Sequence, residues 1–162
     1  MNFVKVLTPN EVKVISELAY LLFPIDYAAY VRKSHIKYFL DKYQSESAIT
    51  EQIESGYEYF IIKNDAATIG YIGFEIKNET LKLSKLYLNS NARGKGLGAQ
   101  VMQWLKENAI QKHCANIELL VLQENKKAIR FYERLGYRKV DVFEEYFKTG
   151  YSEINNKMVQ NL

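Results

Sequence analysis

A glycine-rich turn between a strand pattern and a helix pattern constrains this chain more than any other segment. Residues 94–98 read Gly-Lys-Gly-Leu-Gly, so three of the eight glycines fall within five positions. Residues 81–88 alternate apolar and polar side chains, which predicts a strand, and apolar residues on one face of 97–105 predict a helix. Such a turn can direct backbone N–H groups and the positive helix end toward one anion. The flanking cations Arg93 and Lys95 favour the same interpretation.

Two common phosphate-binding motifs fit this turn poorly. The P-loop requires a Lys-Ser or Lys-Thr pair after a suitably spaced glycine, and none follows here. The dinucleotide motif G-x-G-x-x-G/A is formally met by Gly94, Gly96 and Ala99. However, the preceding strand has polar residues at alternate positions, and Glu118 and Glu124 stand at the wrong places to bind a ribose. A dinucleotide-binding oxidoreductase is therefore only an alternative.

The length and composition predict one globular domain over residues 1–162. The net charge of +3 is spread along the chain without a clustered basic face, which argues against a nucleic-acid partner. No apolar stretch approaches the roughly 20 residues that span a membrane, and the N terminus resembles no signal peptide. We therefore expect a cytoplasmic protein without a membrane partner. The single Cys114 and two distant histidines form no recognisable zinc site, so no metal is expected.

Hydrophobic periodicity and turn residues predict the element order β-α-α-β-β-β-α-β-α-β-β. Residues 8–11, Thr-Pro-Asn-Glu, predict a helix start, and Pro24 is predicted to end that helix. The nearly continuous apolar run 117–122 predicts a strand buried on both faces. Asn125 is predicted to cap a later helix, and Gly136 to end it. This order is typical of a mixed α/β sheet.

A second motif lies downstream of the glycine turn, at residues 125–137. Its sequence, NKKAIRFYERLGY, resembles the second signature of the GCN5-related N-acetyltransferase (GNAT) superfamily, N-x-x-A-x-x-F-Y-x-x-x-G-F/Y. The turn is similar to the first signature, Q/R-x-x-G-x-G/A, with Arg93, Gly96 and Gly98 at the defining positions. The motifs also occur in the family's order and spacing. The resemblance implies a mixed, mostly antiparallel central sheet with flanking helices and a cleft for acetyl-CoA where two strands splay apart.

The resemblance implies acetyl-CoA as the cosubstrate and three segments that bind it. The strand residues expected to pair with the pantetheine arm are Leu86, Tyr87 and Leu88. The turn residues expected to hold the diphosphate are Arg93, Gly94, Lys95, Gly96, Leu97, Gly98 and Ala99. The residues of the second motif expected to line the cofactor's side of the cleft are Asn125, Ala128 and Phe131. A plain helix cap is the alternative role for Asn125.

Tyr132 is the candidate catalytic residue. Attack of an amine on the thioester expels a thiolate, and a phenol with a pKa of about 10 stays protonated and can donate to a sulfur whose thiol has a pKa of about 8.5. The alternative for Tyr132 is packing on an apolar helix face. Residues 82–85 hold no carboxylate where many family members carry a glutamate. Glu75, Glu118, or water with backbone carbonyls remain open as routes for the proton of the amine.

The acceptor and the quaternary structure are less constrained. The family resemblance implies that residues 23–58 wall the acceptor side, and a weaker likeness to bacterial polyamine acetyltransferases favours a small-molecule amine over a protein N terminus or lysine. The closing segment 137–158 is predicted to form two strands, which often join subunits in this family, so a homodimer is expected. A non-catalytic acyl-CoA-binding module, and a protein or peptide N-acetyltransferase, are the alternatives.

Overall fold

The computed structural model describes residues 1–162 as five α-helices, one short 3-10 helix and a seven-stranded sheet. The strands are β1 (Asn2–Lys5), β2 (Glu58–Asn64), β3 (Ala67–Lys77), β4 (Thr80–Leu88), β5 (Asn116–Leu122), β6 (Arg138–Tyr146) and β7 (Ser152–Asn161). The helices are α1 (Pro9–Tyr27), α2 (Lys33–Tyr43), α3 (Glu46–Glu54), α4 (Leu97–Gln111) and α5 (Lys126–Arg134), and the 3-10 helix is Ser90–Ala92.

The sheet is mixed and mostly antiparallel, as predicted. Its strand order is β1-β2-β3-β4-β5-β7-β6, and β4 pairs with β5 in parallel. The pairs β1–β2, β2–β3, β5–β7 and β6–β7 are antiparallel. The predicted element order holds, except that three helices rather than two lie between β1 and β2.

Helix α1 is longer than predicted because Pro24 lies inside it rather than at its end. The helix continues to Tyr27, and the ring of the buried Phe23 stacks on Tyr27 with centroids 4.2 Å apart. Tertiary packing of the last turn thus outweighs the missing proline N–H. The predicted start is confirmed by a capping box between Thr8 and Glu11, in which each residue's side chain accepts from the other's N–H.

Strand β5 is buried along one face, but its other face is buried only at Leu122, so the prediction of burial on both faces is wrong for most of the strand. Ile117 and Leu119 are buried, whereas Leu120 is 49% exposed. Leu120 lies opposite Lys157 of β7, which is a polar neighbour. An apolar run shows that a strand can be covered on both faces, but its neighbours decide which face is covered.

The chain divides into two compact units. The first contains residues Met1–Glu75 and Lys85–Gly98, and the second contains Ile76–Ser84 and Ala99–Leu162. The single domain over 1–162 stays a prediction.

The core of the first unit joins its helices to β2 and β3 through buried tyrosines. Tyr71 is fully buried and donates its hydroxyl proton to Gln44 Oε1, 3.2 Å away, just beyond α2. Tyr59 donates to Gln52 Oε1 in α3 at 2.6 Å. A buried phenol hydroxyl requires such a partner, so these bonds fix how the helices sit on this part of the sheet. The second unit has an apolar core that includes Val101, Leu105, Ile117, Leu119 and Met158.

Candidate active site

The glycine turn of the first unit has the backbone geometry of an anion-binding loop. Gly94 and Gly96 have φ angles of +72° and +74°, in the left-handed region that favours glycine. A Cβ atom at either position would meet nothing within 4 Å, so these glycines serve the backbone conformation rather than close packing. Helix α4 begins at Leu97, and its first N–H groups have no intrahelical carbonyl to bind. The exposed turn can therefore bind an anion.

The side chain of Arg93 binds the protein itself. Its Nε and Nη2 atoms donate to the carbonyl oxygen of Leu88 at 3.1 and 2.9 Å, and Nη2 forms an ion pair with Asp26 in α1. We refer to Arg93, Asp26 and Leu88 as the Arg93 clasp. Between Leu88 and Arg93, the Asn89 side chain accepts a hydrogen bond from the N–H of Ala92 at 2.9 Å. The segment that leads into the glycine turn is thus held at both ends.

The parallel pairing of β4 and β5 covers only the first part of β4. It joins Thr80–Leu83 to Asn116–Leu119, and β4 then continues to Leu88. The residues beyond the pairing include the predicted pantetheine contacts at 86–88. Tyr87 is buried, and its two neighbours are half-buried. These residues therefore lie beyond the part of β4 that pairs with β5.

Gly70 of β3 permits a close approach of this strand end. A Cβ atom at Gly70 would lie 2.0 Å from the carbonyl oxygen of Tyr87 and 2.9 Å from Leu88 Cδ2. The N–H of Asn89 donates to the carbonyl oxygen of Ile69 at 2.8 Å in the same region. Only a residue without a side chain fits here, so Gly70 helps to place the end of β4.

An aromatic cluster lies in the first unit. Phe23 stacks on Tyr27 and Phe39 with centroid distances of 4.2 and 4.6 Å. Tyr43 is tilted 5.0 Å from Phe39, and the ring of Tyr87 meets Phe23 edge-on at 5.8 Å. Burial, together with nearby Tyr27, raises the pKa of Tyr87 well above its usual value, so this phenol stays protonated. The cluster draws on α1, α2 and β4, which the sequence could not place together.

Two buried charged residues of the first unit lie on β3 and β4. Lys85 is 8% exposed, and its Nζ lies 5.8 Å from the ring centroid of Phe39. Glu75 is 9% exposed, and its Oε1 accepts a hydrogen bond of 3.3 Å from the hydroxyl of Tyr57. The burial of Lys85 was not predicted from the sequence. The alternation of side chains along β4 could have indicated it, because Lys85 lies on the same face as the apolar residues 81, 83 and 87.

The second motif forms α5 in the second unit. Asn125 caps this helix as predicted, since its Oδ1 accepts from the N–H of Ala128 at 3.1 Å. The half-buried ring of Tyr132 has edge contacts with Phe131 at 5.2 Å and with Tyr137 at 5.7 Å. Because two rings contact the phenol of Tyr132, its orientation is restrained within this unit.

Glu118 of the second unit is engaged by two lysines. Its Oε1 lies 3.6 Å from Lys82 Nζ on β4, and its Oε2 lies 2.9 Å from Lys157 Nζ on β7. Both carboxylate oxygens of Glu118 are thus already engaged by lysines within this unit. The geometry therefore favours Glu75 over Glu118 among the two carboxylates that the sequence left open.

The other features of interest are metal ligands, membrane-spanning helices and the single cysteine. No group of three His, Cys, Asp or Glu side chains comes together as a set of metal ligands. None of the helices has the length and apolar character needed to span a lipid bilayer. Cys114 is 7% exposed, and burial raises the pKa of its thiol.

Comparison with known proteins identifies the family to which the chain belongs. A model of the Acetyltransferase (GNAT) family matches residues 25–137, which include the glycine turn and α5. A thialysine N-ε-acetyltransferase from Sus scrofa is 38% identical over 56 residues, which are 35% of this chain and 33% of that protein. Alignments to the first curated relatives span only about a third to a half of those proteins' lengths.

Solved structures share the fold over the whole chain. The PaiA N-acetyltransferase from Thermoplasma acidophilum, in complex with coenzyme A, has a TM-score of 0.80 at 18% identity and covers 100% of both chains. An aminoglycoside 6'-N-acetyltransferase complexed with coenzyme A has a TM-score of 0.69 at 16% identity, covering 99% of this chain and 97% of that one. At these identities the likeness establishes the fold.

Proposed function

Because the chain belongs to the GNAT acetyltransferase family, we propose that it transfers the acetyl group of acetyl-CoA to a primary amine. The family match carries this proposal, since it contains both the left-handed glycine turn and the capped helix α5. We propose a small-molecule amine as the acceptor and a second copy of the chain as a partner. We expect neither nucleic acid nor a membrane to be a partner, no metal to be needed, and the protein to be cytoplasmic.

We propose that the glycine turn holds the diphosphate of coenzyme A. Backbone N–H groups from Arg93 to Ala99 would donate to the phosphate oxygens, aided by the positive end of α4. The exposed Lys95 would supply the side-chain charge, because the guanidinium of Arg93 is bound in the clasp. Arg93 is therefore a positioning residue in this proposal, and it would bind the cofactor through its backbone N–H.

The strand end and α5 would bind the rest of the cofactor. We propose that backbone groups of residues 86–88 pair with the pantetheine amides. The carbonyl of Leu88 already accepts two hydrogen bonds from Arg93, so Leu86 is the better candidate for an acceptor. Asn125, Ala128 and Phe131 would contact the pantetheine arm from α5, and Asn125 would do so while capping its helix.

Tyr132 would act as the general acid. The amine nitrogen attacks the acetyl carbonyl carbon, the carbon–sulfur bond breaks, and the Tyr132 hydroxyl gives its proton to the departing sulfur. The neutral amine loses one proton as its nitrogen becomes an amide nitrogen, and this proton balances the one that Tyr132 gives to the sulfur. We propose Glu75 as the group that receives it, because this carboxylate is buried and Glu118 is held by two lysines.

The proposed acceptor is a small amine. The named relative from Sus scrofa acts on thialysine, and one structural neighbour acts on aminoglycosides, both of which are small amines. The aromatic cluster of the first unit offers ring faces and buried edges that suit an alkyl amine stem. Its buried neighbours Lys85 and Glu75 could bind a substrate that carries charges of both signs.

A release assay for coenzyme A would test the activity. Acetyl-CoA is incubated with spermidine, spermine, putrescine, lysine analogues, aminoglycosides and short peptides, and free thiol is measured. We expect turnover with at least one small amine and thermal stabilisation by coenzyme A. Binding of coenzyme A without turnover on any amine would favour the non-catalytic module. Turnover on peptides alone would make the protein a peptide N-acetyltransferase.

Loss of the Arg93 clasp is expected to weaken cofactor binding. Asp26→Asn keeps the volume of the side chain but removes the charge that pairs with Arg93. We expect the Kd for coenzyme A, measured by titration calorimetry, to rise about three- to tenfold, which corresponds to about 1 kcal/mol of lost positioning. Removal of a negative charge near an anion would by itself strengthen binding and lower the Kd. The direction of the change in Kd therefore distinguishes a positioning role from direct electrostatics.

A matched control for this experiment is Asp41→Asn. Asp41 pairs with Lys37 within α2 and accepts from the hydroxyl of Tyr20, so it is a charged partner outside the clasp. We expect its Kd for coenzyme A to equal that of the wild type within twofold. Unchanged or tighter binding by Asp26→Asn would contradict the positioning role of Asp26.

A further inference from the structure

A buried cation and a buried anion lie on one face of the sheet in the first unit. Side chains alternate between the two faces of a strand, so Lys85 lies on the same face of β4 as Tyr87, and Glu75 lies on the same face of β3 as Tyr71. The rings of Tyr71 and Tyr87 are 5.3 Å apart, and β3 and β4 are neighbours in the sheet. The two charged side chains therefore share the face that carries the aromatic cluster.

Aromatic side chains contact both of these charged groups. The Nζ atom of Lys85 lies 5.8 Å from the ring centroid of Phe39, and the hydroxyl of Tyr57 donates to Glu75 Oε1 at 3.3 Å. Both charged side chains are buried, so water screens their charges weakly. A charged group of a ligand at this face would therefore interact strongly with each of them.

The signs of the two charges restrict the acceptor. A diamine or polyamine carries a further ammonium group besides the amine that reacts, and the ammonium of Lys85 would repel it. An amine that also carries a carboxylate offers an opposite charge to each of the two side chains. Its carboxylate can accept a hydrogen bond from Lys85 Nζ, and such charge-assisted bonds are stronger than bonds between neutral groups. A substrate with both groups therefore fits this face better than a polyamine does.

We propose that the acceptor is an amino acid or a related amino carboxylate, and that Lys85 selects it by binding its carboxylate. The amine is directed toward Glu75, which receives its proton in the proposed reaction. The stem between the two charged ends packs against the rings of Phe39 and Tyr87. This inference rests on the proposed acetyl transfer, and it narrows the acceptor from small amines in general to those with an anionic end.

Substrate pairs that differ by one carboxylate test this inference. Lysine is compared with cadaverine, ornithine with putrescine, and phenylalanine with phenethylamine, by release of coenzyme A from acetyl-CoA. For the best pair, kcat/KM is expected to be about 30- to 100-fold higher for the amino acid than for the amine without the carboxylate. The methyl ester of the same amino acid has no carboxylate charge, so it is expected to lose this advantage with the wild-type protein.

Replacement of Lys85 by methionine removes the ammonium group and keeps an unbranched side chain of similar length. We expect the ratio of kcat/KM between the amino acid and its decarboxylated partner to fall to about one in Lys85→Met. Lys82→Met is the matched control, because Lys82 lies on the opposite face of β4 and pairs with Glu118. Its ratio is expected to stay within about twofold of the wild-type ratio. Circular dichroism checks that both variants fold, and Lys85→Gln replaces the methionine variant if that one does not.

Binding measurements separate this inference from the proposed activity. Calorimetric titration of each substrate pair into the protein with coenzyme A gives Kd values without turnover. If no amine is turned over but the amino acid binds about 30-fold more tightly than its partner, and only with Lys85 intact, the acetyl transfer fails and the inference stands. Three results would overturn the inference: no preference for the carboxylate in turnover or binding, a preference that persists without the Lys85 ammonium, or no binding of any member of the pairs.

Discussion

Replacement of Tyr132 by phenylalanine is expected to lower kcat about 100-fold, with the Kd for coenzyme A within about twofold of wild type. The ring and its edge contacts with Phe131 and Tyr137 are retained, so only the proton donor is lost. The departing thiolate must then leave without a proton from the enzyme, which raises the barrier for carbon–sulfur cleavage. Thiol release from acetyl-CoA with the best amine of the panel measures this effect.

Tyr137→Phe is the matched control for that experiment. Tyr137 is buried, its ring lies 5.7 Å from that of Tyr132, and burial raises the pKa of its hydroxyl well above the usual value. Removal of this second hydroxyl keeps the same aromatic contact, so kcat is expected to stay within threefold of wild type. Equal rates for Tyr132→Phe and wild type would show that Tyr132 is a packing residue.

Gly70→Ala is expected to destabilise the protein by about 3 kcal/mol. The new methyl group would lie 2.0 Å from the carbonyl oxygen of Tyr87, which is backbone and cannot rotate away. The end of β4 must therefore move, and we also expect at least a tenfold rise in the Kd for coenzyme A. Urea denaturation measures the first effect, and calorimetric titration of the folded variant measures the second.

Gly150→Ala separates steric clash from the ordinary cost of replacing a glycine. Gly150 has a φ of +75°, but a Cβ atom there would meet nothing within 4 Å. Its substitution is expected to cost about 1 kcal/mol from backbone strain alone and to leave coenzyme A binding unchanged. If Gly70→Ala costs no more than this control, the close approach of β3 and β4 is not needed for stability.

Local rules predicted the parts of the fold that depend on local chemistry. The capping box at Thr8, the cap at Asn125 and the left-handed Gly136 after α5 each follow from residues within a few positions of one another. The two motifs were therefore recognisable before any tertiary structure was considered. Periodicity also predicted the strands and helices between them, apart from details at their ends.

Contacts between distant segments could not be predicted in the same way. Arg93 and Asp26 are 67 residues apart, so nothing near Arg93 indicates that its charge is already paired. The course of α1 through Pro24 depends on aromatic packing, and the exposure of Leu120 depends on which strand lies beside β5. In each case a tertiary neighbour overrides the local pattern.

The burial of Cys114 also matters for how the protein can be studied. Its thiol is the only one in the chain, it is almost inaccessible, and burial raises its pKa, so little reactive thiolate is present near neutral pH. Disulfide reagents that report coenzyme A should therefore give a low background from the protein itself. The same property makes the chain suitable for site-specific labelling, because a cysteine introduced on the surface would be the preferred site for a maleimide fluorophore or spin label.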